Sequence, residues 1–140
     1  MSKLRCQCGY LICDNTSSLP YKASILKDLH CESFSDWLVS ELQSYVTAAE
    51  QGNIREWLLS RDYSEEYIAL QLDHGNVLYD HLHGQFLTIN RTAYECSACG
   101  RIHVETVEDN RFVSYTPDSK KCNGVMRDRV HSKSNATRSE

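Results

Sequence analysis

The stretch Cys6 to Cys13, "CQCGYLIC", decides how this chain is read. Two cysteines one residue apart, a glycine, an apolar run and a third cysteine describe either half of a metal site or thiols buried in a strand. The echo "CSACGRIHV", residues 96–104, separates these readings. Each stretch has two closely spaced cysteines, a glycine directly after the second, and then a β-like run. That is the pattern of a zinc knuckle, in which a tight turn aims two thiolates at one ion. Glycine allows the unusual backbone angle that brings main-chain amides toward the sulfurs. Two such turns supply the four thiolates of a closed tetrahedral site, so Cys6, Cys8, Cys96 and Cys99 are the expected ligands and zinc the expected cofactor. The Cys96–Cys99 gap is the usual two residues; the Cys6–Cys8 gap is one residue tighter.

The other thiols lack this spacing. Cys13, Cys31 and Cys122 read as buried cysteines acting as small hydrophobes. Cys13 alternates away from the turn, and Cys31 sits just before a helix cap, beside His30. A redox role for Cys96 and Cys99 would need the motif to open a helix, and a strand-like run follows instead. His103 stands four residues after Cys99. Replacing an N-terminal cysteine as ligand is one reading of it; because the knuckles already complete the count, an alternating strand residue facing solvent is the reading adopted. In "DHLHG", His81 and His83 with Asp80 look like metal chemistry, but two residues apart on a helix they point in different directions. They read as surface groups.

The chain has 140 residues, one domain's worth, with 41% hydrophobic and 24% charged residues. Seven cysteines without a secretory signal pattern at the N-terminus point to the cytoplasm, where clustered thiols bind metal more than they form disulfides. No stretch has the length of apolar residues needed to span a membrane. The net charge of −4 is unevenly spread. Asp118 to Glu140 carries six Lys/Arg against three Asp/Glu, and the rest nine against sixteen. An acidic body with a basic tail favours basic partners and repels phosphate backbones.

Periodicity places a hairpin over residues 3–15, then a loop with Pro20 leading to a short apolar stretch of undecided type. A long helix follows, started by Ser33 with Asp36 in an acidic variant of the capping box, its apolar side running through Phe34, Trp37, Leu38, Leu42, Tyr45, Val46 and Ala49. Gly52-Asn53 stops it. A shorter helix covers "NIREWLLSRDY", and another starts at Ser64, with a break expected near Gly75. After Gly84 the pattern becomes β-like: three short runs in 92–117, the last two joined by "EDN". The expected organisation is one domain over 1–117, a helical insert over about 33–83, and a mobile basic tail over 118–140.

Enzyme signatures fail. His103-Val-Glu105 beside a Cys-x-x-Cys has the wrong order for a zinc deaminase, and no phosphate-binding glycine loop, Gly-x-Ser-x-Gly or His-Glu-x-x-His is present. Four thiolates also leave zinc no open position for water. The chain is therefore expected not to be an enzyme.

The order "CxCG", "LPYKA", a helical middle and "CxxCGRI" resembles small uncharacterised bacterial proteins of zinc-ribbon type, over Cys6–Ala23 and Tyr94–Val104. The resemblance implies an α+β fold: a small antiparallel sheet with zinc-ribbon-like knuckles from both chain ends and a helical insert. By analogy of class, small acidic proteins of this makeup look like immunity proteins that bind and neutralise a cognate toxin. The expected contacts are then Asp62, Glu65, Glu66, Asp73 and Asp80, with Tyr63, Tyr67 and Tyr79 as anchors. The alternatives are a zinc-ribbon nucleic-acid-binding protein gripping phosphates with Lys120, Lys121, Arg127, Arg129, Lys133 and Arg138, or a regulator whose zinc site senses metal or oxidant.

Overall fold

The computed structural model describes residues 2–108, 110–119 and 124–126. It is α+β and clusters into two compact units, one formed by residues 1–25 with 91–140 and the other by Leu26–Asn90.

The first unit is built from both ends of the chain. Strands β1 (Ser2–Arg5) and β2 (Leu11–Asp14) pair antiparallel, Leu4 opposite Ile12. The "CQCG" turn is the tip of this hairpin. The undecided stretch after Pro20 is strand β3 (Lys22–Leu26). It borders a four-stranded sheet in the order β3-β4-β5-β6, with β4 Asn90–Glu95, β5 Ile102–Glu105 and β6 Phe112–Tyr115. The β4–β5 and β5–β6 pairs are antiparallel, with Tyr94 opposite His103 and His103 opposite Ser114. The core of this unit is Cys6, Ile12, Tyr94 and Cys96, flanked by Leu4, Tyr21, Cys99 and Phe112.

The second unit is helical: α1 (Asp28–Glu50), α2 (Ile54–Leu59), α3 (Glu65–Ala69) and α4 (His74–Ile89). Tyr45, Ala48, Trp57, Leu58 and Val77 form its centre, with the Tyr45 and Trp57 rings edge to face at 4.9 Å. Helix α1 begins five residues before Ser33. Asp28 supplies the first-turn acid, and the Ser33 hydroxyl, well inside the helix, donates back to the carbonyls of Leu29 and His30. Cys31 is therefore an exposed helical residue rather than a buried one ahead of a cap. Gly52 ends α1 at φ +72°, and the Asn53 amide reaches back to Ala48 at 2.8 Å. Ser64 caps α3 as its sequence implies. The break in the next segment falls before Gly75, because Asp73 captures the Asn76 amide at 3.0 Å and restarts the helix. Helix α4 then runs through Gly84 to Ile89.

"DHLHG" lies on α4, but His81 is not a surface group. Its side chain is 14% exposed, with Nε2 2.8 Å from Glu41 and Nδ1 3.0 Å from the Tyr63 hydroxyl. Glu41 also receives Arg61 through Nε and Nη2 at 2.6 and 3.0 Å, and that guanidinium lies 3.9 Å from the Trp57 ring centre. These partners come from α1, the α2–α3 connection and α4, so spacing along the chain could not group them.

Hydrogen bonds from Arg61, against the cost of burial and with help from His81, hold the Glu41 carboxyl below its ordinary value of 4.5. A carboxyl depressed on folding stabilises the fold above its unfolded pKa, and that stability is lost as pH falls through the folded value. Glu41→Gln is expected to lower the stability of the helical unit by about 1–3 kcal/mol in urea melts at pH 7. It should also flatten the loss of stability that the wild type shows below pH 4.5. An unchanged acid limb would assign that loss to other groups.

Candidate metal centre

The two knuckles are one turn built at two lengths. In the first, the Gly9 amide donates to the Cys6 carbonyl at 2.9 Å and the Cys6 amide to the Tyr10 carbonyl at 2.9 Å. In the second, Gly100 donates to Cys96 and Cys96 to Arg101, both at 2.8 Å. Each closes on a glycine of positive φ, +94° at Gly9 and +75° at Gly100. No atom lies within 4 Å of a Cβ built on Gly9, so the requirement there is the backbone angle and not space. The one-residue gap of "CQC" therefore shortens the turn between its cysteines and leaves the closing geometry in place.

These turns bring Cys6, Cys8, Cys96 and Cys99 together, all four Sγ atoms lying within 4.8 Å of one another. Two edges cross between the knuckles at 3.6 Å, Cys6 to Cys99 and Cys8 to Cys96. Four sulfurs about 2.3 Å from one ion in a tetrahedron stand about 3.8 Å apart. The cluster can hold a metal ion. Cys6 and Cys96 are buried, Cys99 half-buried and Cys8 exposed. Cys13, in β2, is half-buried as well, and Cys122 lies outside the described residues.

Burial pushes the Cys96 thiol up to about 12. Burial raises Cys99 too, but the Arg101 amide and the neighbouring thiols outweigh it and bring that thiol down to about 6. Four sulfurs at this separation cannot all carry negative charge unless a cation sits among them. Arg101 provides part of that compensation. Its Nη1 is 3.5 Å from the Cys99 sulfur, while Nε donates to the Thr116 hydroxyl at 3.3 Å. Sequence reading passed over Arg101, although its place directly after a knuckle glycine was a usable signal.

His103 is buried at 2% exposure and does not face solvent as its alternation implied. Its Nδ1 pairs with the Ser114 hydroxyl at 2.7 Å, and it lies outside the metal-ligating group found among the described residues. Alternation correctly assigns a sheet face, shared with Tyr94 and Ser114, but that face is covered at His103, so it misassigns exposure. Beside the centre, Glu95 is buried at 7% exposure and accepts the Val125 amide at 3.1 Å and the Met126 amide at 3.0 Å. The expected tail is thus attached at this point. Its six basic residues lie outside the described residues.

The expected partner contacts all lie in the helical unit. Asp62, Glu65, Glu66, Asp73, Tyr79 and Asp80 are exposed, Asp73 being occupied as the α4 cap and Glu65 paired with Arg55 at 2.7 Å. Tyr63 and Tyr67 pack against the helical core with ring centres 4.7 Å apart, and Tyr67 donates to Asp80 at 2.8 Å. Tyr79 is 63% exposed and stacks on His83. Among the described residues no helix is long and apolar enough to cross a membrane.

Fold and centre define a small α+β protein with a four-cysteine cluster able to hold a metal ion. The chain belongs to the family described as domain of unknown function DUF8617, whose profile matches residues 2–119. No curated protein and no solved structure matches the chain.

Gly100→Ala forces a Cβ onto a positive φ and is expected to cost about 1–2 kcal/mol, read as weaker metal binding in a chelator competition. Arg101→Ala should retain the metal at equilibrium but release it to chelator several-fold faster, since its charge no longer offsets the thiolates. Equal release rates in wild type and variant would remove Arg101 from the centre.

Proposed function

We propose that the chain is a non-enzymatic binding protein, structured by zinc, that acts as an immunity protein by covering a cognate basic toxin with its acidic helical unit. The zinc reading rests on the four-thiol cluster, whose 3.6 Å edges suit tetrahedral Zn–S geometry. Four thiolates fill that coordination sphere, which makes the site structural and gives zinc no position from which to activate water. The reading of the partner rests on charge. Residues 26–90 carry eleven Asp/Glu against three Lys/Arg, a net charge of −8 on a unit that a phosphate backbone would repel and a basic protein would be drawn to. On this surface Asp62, Glu66 and Tyr79 are the exposed contacts that serve, among the described residues, as neither N-cap, ion-pair partner nor core residue.

Metal analysis is expected to find one zinc per chain, and chelator should unfold the unit built from the chain ends. Structural zinc contributes on the order of 10 kcal/mol or more to folding in small sites. Cys96→Ser should mimic the chelator, whereas Cys31→Ser, at an exposed helical position, should not. Protein purified without metal and melting unchanged in chelator would overturn the zinc reading.

The partner reading is tested by retention of proteins from the native host on the immobilised chain. The expected result is one basic protein whose toxic activity the chain inhibits at equimolar ratio, with inhibition reduced at least tenfold by Glu66→Lys combined with Tyr79→Ala. Retention of mixed DNA or RNA that falls steeply with salt would favour the nucleic-acid alternative through the basic tail. Reversible loss of zinc on mild oxidation, with no protein retained, would favour the regulator.

A further inference from the structure

Within the unit built from the chain ends, Leu4 and Ile12 of the β1–β2 hairpin pack with Tyr94 and Phe112 of the four-stranded sheet. Strand alternation puts Asp14 on the same side of the hairpin as Leu4 and Ile12. It puts Glu105, paired with Phe112, on the same side of the sheet as Tyr94. All six residues line a cleft of about 300 Å³, within the size range of small-molecule sites. Lys3, opposite Cys13, belongs to the other side of the hairpin and is exposed. The side-chain charges left to the cleft are those of Asp14, Lys22 and Glu105, one negative charge in excess.

One ammonium already sits on this lining. Lys22 Nζ is 2.6 Å from Asp14 Oδ2 and 5.8 Å from the centre of the Tyr94 ring, whose hydroxyl donates to the same carboxylate. A carboxylate and an aromatic face together hold the cation there. Glu105 offers the same pair of groups, with Phe112 directly opposite it on the neighbouring strand. Among the described residues it has no oppositely charged partner. Its carboxylate is nonetheless fixed. The Thr92 amide donates to Oε2 at 3.2 Å and the Asn110 amide to Oε1 at 3.3 Å. Each oxygen keeps a lone pair for a further donor, so the group is set in place before a cation arrives.

We propose that this cleft binds a primary ammonium on a short apolar stem, its head on Glu105 and its stem against Leu4, Ile12 and Phe112. An anion would meet the excess negative charge. A neutral apolar ligand would cover Glu105 and leave it desolvated and unpaired. An ammonium pairs with the carboxylate, and its stem covers the apolar part of the lining. A free amine and a lysine side chain of another protein both present this chemistry. The inference does not depend on the partner reading above.

The test is an amide NMR titration of the full-length protein with n-hexylamine and with Nα-acetyl-lysine methylamide, which carries the same head on a peptide unit. Saturable shifts of the Thr92 and Asn110 amides are expected, with a dissociation constant of about 1 mM or tighter. Tighter binding of hexylamine assigns the site to free amines, and tighter binding of the lysine derivative assigns it to a lysine side chain. The neutral analogue n-hexanol should bind at least tenfold more weakly than hexylamine, and Glu105→Gln should weaken hexylamine binding to the same degree. The comparison of hexylamine with hexanol uses the wild type, so it reads the charge even where Glu105→Gln does not fold. Absence of saturable shifts with both ammonium probes would overturn the proposal. So would hexanol binding as tightly as hexylamine.

Discussion

Four cysteine sulfurs held within 4.8 Å of one another are a liability until something positive sits among them. The first unit is organised around this constraint. Its sequence comes from two segments separated by the helices, with Cys6 and Cys99 93 positions apart and Cys8 and Cys96 88 positions apart. Around the cluster the buried apolar core is thin: among the described residues Ile12 and Tyr94 are the buried members of that hydrophobic cluster apart from cysteine. An ion shared by both knuckles would offset much of the entropy of bringing these distant segments together.

The helical unit needs no such clamp. Tyr45, Trp57 and Leu58 give it an apolar centre, and Arg61 is held between the Glu41 carboxylate and the Trp57 face. The two units also differ in charge. Residues 26–90 have a net charge of −8, whereas the remaining residues carry twelve Lys/Arg against eight Asp/Glu. An acidic helical unit and a unit whose cysteine cluster can hold a metal ion are thus encoded in separate stretches of chain.

What could be read from the sequence follows the range of the interaction. The knuckles were legible because each is a local turn with a required glycine, and their kinship is visible as repeated spacing. Ser64 and Gly52 were legible for the same reason. The start of α1 was misplaced because Ser33 carries a capping signature that its own back-bonding to Leu29 and His30 cancels. His81 and His103 were misread as exposed because their burial depends on partners 40 and 11 residues away, Glu41 and Ser114. The fixing of Glu105 by the Thr92 and Asn110 amides was invisible for a further reason: main-chain donors have no sequence signature.

The separation of the knuckles has a consequence for how the protein is made. Cys6 and Cys8 leave the ribosome first and have no partners until Cys96 and Cys99 follow. At ordinary translation speed the wait is on the order of ten seconds. In that interval the helical residues have everything they need to fold, while the leading thiols stay open to oxidants and to stray metal. Completion of the first unit is therefore a late event in biosynthesis, timed by the emergence of the second knuckle.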